Sequence, residues 1–192
     1  VRVDPLQPDF NLAALPTTLR MPRGKGAVRV THRFTRDLAE GDFGDALSNL
    51  FGLDGGSQIG LEVRFGLLRG TQIGIHRTSD RAIQLFGQHN FMNERDGGRF
   101  GFDAIATLEG DDNLSEHHQS ALGVIVSKNL GHRAGVYAEP LAVLNANPFQ
   151  TGEEHTAMIG LGGRVRIRTS MYLMAEYTPR VALTEEERDD LL

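Results

Sequence analysis

An all-β fold, a single antiparallel up-and-down sheet curling into a barrel, is what this sequence predicts, on three observations. Residues 59–77, IGLEVRFGLLRGTQIGIHR, alternate apolar and polar side chains, turn at Arg69-Gly70, and alternate again. About nine such segments follow one another, most of them longer than the roughly 5–6 residues usual in globular strands. The connections tend to alternate between long and short, a rhythm that an up-and-down barrel with tight turns at one end produces.

Residues 1–25 hold four of the seven prolines and no periodicity, so they form an irregular N-terminal lead-in. Residues 26–182 carry the strands. Residues 27–34 put Val28, Val30, His32 and Phe34 on one face and Arg29, Thr31 and Arg33 on the other. In 59–68, Ile59, Leu61, Val63, Phe65 and Leu67 oppose Gly60, Glu62, Arg64 and Gly66, because side chains in a strand repeat every two residues. Segments 72–78 and 82–91 place Gln72, Gly74, His76, Gln84 and Gln88 on the polar side. In 99–109, Gly101, Asp103, Thr107 and Glu109 oppose Phe100, Phe102, Ala104, Ala106 and Leu108. Segment 120–130 alternates less cleanly, and 133–145 follows it. Segments 156–169 and 170–180 complete the series, the first with Arg164, Arg166 and Arg168 to one side. Residues 183–192 are acidic and read as a loop or short helix leading to further strands, so the expected sheet is open between its first and last strands. The chain reads as part of a longer protein, its leader removed or not included.

Composition narrows the chemistry. Cysteine is absent, which excludes disulfides, thiol catalysis and cysteine-ligated metals. A net charge of -5 gives no broad electrostatic case for nucleic acid. No apolar run approaches the roughly 20 residues of a membrane helix. The 23 glycines suit turns, bulges and close backbone approaches better than helices.

The same one-sided sheet builds soluble barrels with the apolar face inward, or membrane barrels with that face on lipid. Mixed acidic and basic residues on the polar face favour the second, in which they line a lumen. The stretches LPTTLRMPRGKGAVRVTHRFTRDL, NLFGLDGGSQIGLEVRFG and GTQIGIHRTSDRAIQLFGQ resemble an uncharacterised bacterial family described as a membrane-bound β-barrel domain. The resemblance is closest over residues 15–88 and implies a barrel in the bacterial outer membrane with the lipid bilayer as partner. The family carries no established activity, so no catalytic residue transfers.

The expected lumen-lining residues are Arg29, Arg33, Glu62, Arg64, His76, Gln84, Gln88, Asp103, Glu109, Glu139, Arg164, Arg166, Arg168, Glu176 and Arg180. The row Arg164, Arg166, Arg168 is either an anion-selecting feature of a pore or a lumen-filling network paired with Glu176 and Glu139; the second is favoured, since a small barrel is filled by its side chains. In residues 42–52, Asp42 or Asp45 caps a short helix with Ala46, Leu47, Leu50 and Phe51 on one side, placed in the barrel mouth or on its rim. His117, His118 and His155 lack metal-ligand spacing on a regular element and read as loop histidines. Ser115 beside His117 and His118 is the sole local hint of a hydrolase, and no GxSxG, HExxH, P-loop or dinucleotide fingerprint is present. No cofactor, metal site or catalytic activity is expected. The sequence reads as a porin-like or transport-associated outer-membrane barrel, with a plugged accessory barrel that docks a periplasmic or cell-surface partner, or a soluble ligand-binding barrel, as the alternatives.

Overall fold

The computed structural model describes residues 7–34, 57–146 and 155–182. They form one antiparallel sheet in which each strand pairs with its sequence neighbours. The strands are β1 (Gly26–Phe34), β2 (Ser57–Leu68), β3 (Thr71–Thr78), β4 (Ile83–Met92), β5 (Gly101–Gly110), β6 (Glu116–Leu130), β7 (Ala134–Leu144), β8 (His155–Arg168), β9 (Met171–Tyr177) and β10 (Arg180–Ala182). β10 pairs with β8 in the register that β9 has, Arg180 opposite Met158 and Tyr177 opposite Leu161. The two pieces therefore act as one strand interrupted at Thr178-Pro179, and the sheet has nine strands in function, as the alternation predicts. Pro179 has no N–H for the ladder, yet its carbonyl still accepts from the Ile159 N–H at 3.2 Å.

Among the described residues β1 pairs only with β2, and β9 with β10 only with β8, so the sheet is not closed. An open sheet between the first and last strands is what the strand count predicts.

The hairpin β2–β3 settles which way the faces point. Glu62 and Arg64 are buried at 6% and 3% exposure, whereas Leu61 and Val63 are 49% and 43% exposed. The same sense holds around the sheet: Val28, Ile75, Leu85, Leu108, Leu122, Ile159 and Leu173 all point outward. The arrangement corrects the soluble alternative, which requires the apolar face inside. In water an apolar outer surface this continuous would drive association; against hydrocarbon it is the stable solution.

The lead-in is the core. Residues 10–17 fold back on themselves through the Leu12 N–H to Leu15 carbonyl bond (2.8 Å) and the Thr17 N–H to Phe10 carbonyl bond (2.7 Å). Leu12 and Leu15 are buried against Tyr137, and Met21, Thr17 and Thr18 are buried as well. On leaving the interior, the segment pairs with the end of β2 through Gly24–Gly66 and Gly66–Lys25 backbone bonds and continues into β1. At Gly66 the Pro22 backbone lies where a side chain would be.

One connection differs from expectation. The alternation of long and short connections makes residues 110–117 a longer loop, but β6 starts at Glu116 and the link is a tight turn at 111–115. Asp112, Asn113 and Leu114 there have φ of 43°, 60° and 66°, a left-handed turn that aspartate and asparagine tolerate. The expected helix at 42–52 lies outside the described residues.

Candidate functional site: the polar concave face

The inner face is a continuous hydrogen-bonded surface onto which the lead-in is fitted. Arg64 on β2 is its hub. Its Nε donates to Glu62 at 2.9 Å, Nη1 to Gln88 at 3.3 Å and Nη2 to Asn11 at 3.4 Å. The guanidinium also stacks on Phe10 and Phe86, 4.7 Å and 4.5 Å from the ring centroids. A buried charge needs both a counter-ion and filled donor positions, and Arg64 has them.

Beside it, the three amide or carboxylate residues Gln72, Gln88 and Asp103 step across β3, β4 and β5. Gln72 accepts from the Met21 N–H at 2.9 Å and donates to the Leu19 carbonyl at 3.1 Å. Gln88 donates to the Thr17 carbonyl at 2.8 Å and to Asp103 at 2.6 Å. Asp103, fully buried, also accepts from Asn90. Thr18 and Ser127 share a 2.6 Å hydroxyl bond on β6. The lead-in has no ladder of its own, so these side chains satisfy its backbone groups.

On the far side, Glu176 of β9 takes the backbone N–H groups of Ala13 (2.7 Å), Ala14 (3.0 Å) and Leu15 (3.0 Å). Consecutive backbone N–H groups turned to one anion form a strong concave donor set. Arg33 donates to the Ala13 carbonyl at 3.0 Å, Arg29 reaches Asp9 at 3.4 Å, and Arg20 reaches Asp96 at 2.7 Å. Asp96, in the loop after β4, is held below its ordinary value by the Arg20 hydrogen bond and charge. Its grip on Arg20 is therefore complete at neutral pH and fades only as the pH falls through that lowered value. The glycine-rich GLGG of β8 gives the close approach that glycine in a strand suggests: Leu15 sits over Gly160 and Leu12 over Gly162.

The predicted lining residues fall into three groups. Glu62, Arg64, Gln88, Asp103, Glu139 and Arg164 are buried on the inner face. Arg29, Arg33, His76, Gln84, Glu109, Arg166 and Glu176 are part-buried there, with Glu109 accepting from Gln84 at 2.8 Å and Gln119 at 3.1 Å. Arg168 departs from expectation. A register shift between Arg166 and Arg168 at the end of β8 leaves it exposed at the turn. The side chain of Arg180 lies outside the described residues. The expected pairing of the arginine row with Glu139 and Glu176 is also corrected, since Glu176 is taken by the lead-in backbone and Arg164 lies between Tyr137 and Tyr172 instead. Periodicity reveals a face but not its partners, and so it missed Phe86 and the whole lead-in.

Cavities of about 320 Å³ and 300 Å³ on this face are both bordered by Asn11, Ala14, Glu62, Gln84 and Glu109. At the nearby rim the Ser115 hydroxyl donates to the Asp112 carbonyl at 2.5 Å, and His118 contacts the Leu114 carbonyl at 2.8 Å. His117 lies 3.5 Å from Asp111. Among the described residues, no three histidine or carboxylate side chains come together as a metal site.

A family model described as a membrane bound beta barrel domain matches residues 9–191, which takes in the buried lead-in as well as every strand. Comparison with curated proteins and with solved structures gave no match.

Proposed function

The chain belongs to the family of membrane bound beta barrel domains, and from that premise we propose that it is a bacterial outer-membrane barrel closed by its own N-terminal segment. One observation carries the reading: residues 10–21 occupy the polar face that would otherwise line a channel, bonded to β2, β3, β4, β6 and β9. A free pore would spend that face on water. Here it binds protein backbone, which supports a structural or accessory barrel whose rims meet a periplasmic or cell-surface partner. No catalytic step is assigned to it. β1, β3, β5 and β7 all finish at one end of the sheet, β1 and β7 being the strands followed by the longest connections, and the Arg69-Gly70 turn lies at the other end. Longer loops face outward in such barrels, which supports placing the 111–115 turn outside.

The porin-like alternative has one observation in its favour, the two cavities that share Asn11 and Glu62 in their walls. Withdrawal of the lead-in would join them to the space it leaves, and the inward charges would then set what passes. Planar-bilayer recording on the full-length protein separates the two. The plugged barrel is silent, and removal of residues 7–23 gives discrete conductance steps. A steady open conductance from the intact protein sinks the plugged reading.

A further inference from the structure

Arg164 is a buried cation on the inner face that the network described above leaves out. It is 2% exposed, and its Nε and Nη1 are buried with no hydrogen-bond partner. The rings of Tyr137 and Tyr172 lie 5.9 Å and 5.7 Å from its guanidinium carbon. Ring faces attract a cation but are only weak acceptors for its N–H donors. A guanidinium does not discard its proton when buried, so only an acceptor, preferably an anion, relieves the cost.

A cavity of about 220 Å³ adjoins it, with Pro8, Leu12, Tyr172 and Met174 in its walls. Asp9 also borders this space, but its carboxylate is engaged with Arg29 at 3.4 Å. Glu176, on the same strand as Tyr172, is spent on the backbone of residues 13–15.

We propose that Arg164 and this cavity form a binding site for a small organic monocarboxylate, its carboxylate on the guanidinium and its apolar body among Pro8, Leu12 and Met174. A single negative charge suits one arginine, and a doubly charged phosphate would meet the neighbouring Asp9 and the apolar walls unfavourably. The site stands independently of whether the barrel conducts.

Benzoate is the probe, titrated into the full-length protein in detergent micelles and followed by calorimetry and ligand-observed NMR. The expected result is saturable binding of one benzoate per chain, with inorganic phosphate a much poorer competitor. Arg164→Gln weakens it by about tenfold or more, the scale of one lost charge-assisted hydrogen bond. Met174→Trp keeps the guanidinium, fills the cavity and abolishes binding, so it decides the matter if Arg164→Gln fails to fold. Absence of saturable benzoate binding overturns the proposal, as does an affinity unchanged by Met174→Trp or by a folded Arg164→Gln. Phosphate binding as tight as benzoate overturns the carboxylate assignment.

Discussion

Val63 and Arg64 are consecutive in the chain and face opposite media. Val63 is 43% exposed on the outer surface and Arg64 is buried inside among Glu62, Gln88, Asn11 and two aromatic rings. Val63→Arg places a charge on the lipid side and is expected to cost about 2–4 kcal/mol if the site lies near the bilayer midplane. Denaturant titration of the protein folded into lipid vesicles measures it, and no loss would mean that the faces are reversed. Glu62→Ala has a different origin of damage, because it leaves the Arg64 guanidinium buried without its counter-ion. The expected cost is about 3–5 kcal/mol in the same titration. A matching loss in the double variant Glu62→Ala, Arg64→Met should be smaller, since no orphaned charge remains. The inward or outward sense of Glu62, Arg64 and Asp103 was legible because a period of two needs only the local sequence. Phe86 was not, since an aromatic between Gln84 and Gln88 makes sense on the inner face only once the Arg64 cation is known to lie 4.5 Å away.

At the scale of elements, the lead-in and β8 specify each other. Leu12 and Leu15 need a wall without side chains, and Gly160 and Gly162 on the inner face of β8 supply it. Gly162→Leu is expected to expel Leu12 and loosen residues 10–17 while the strands remain. Limited proteolysis within 10–17 should speed up, and far-ultraviolet circular dichroism should stay unchanged. If cleavage is unaltered, the glycine has another purpose. The strands were readable one by one from alternation, and the turns at Gly70 and Gly131, with φ of 80° and 64°, from glycine in a short connection. The lead-in was unreadable for the converse reason: its order comes from β2, β3, β4, β6, β8 and β9, none of which is near it in sequence. Two inward glycines in one strand were the available signal, and alone they do not say what approaches.

For the molecule as a whole, the strand directions put Ser115 and Arg69 at opposite ends of the sheet. The chain has no cysteine, so Ser115→Cys and Arg69→Cys each introduce a single label site. A membrane-impermeant maleimide added to intact cells is expected to modify the first and spare the second; the reverse pattern inverts the proposed orientation. The nine-strand sheet and its open seam were legible from counting alternating segments, whereas the filling of its interior was not. That filling has a kinetic consequence. The ladder grows between sequence neighbours, so each hairpin can form as soon as its two strands exist. The clasp of Glu176 on the Ala13 N–H instead joins groups 163 residues apart. Closing a loop of that span costs entropy before the contact returns anything, which makes it a late event. The lead-in is thus fastened to the sheet only after the last strand arrives. Glu176→Ala should accordingly hasten unfolding several-fold and leave the folding rate almost unchanged, the pattern of a contact absent from the transition state.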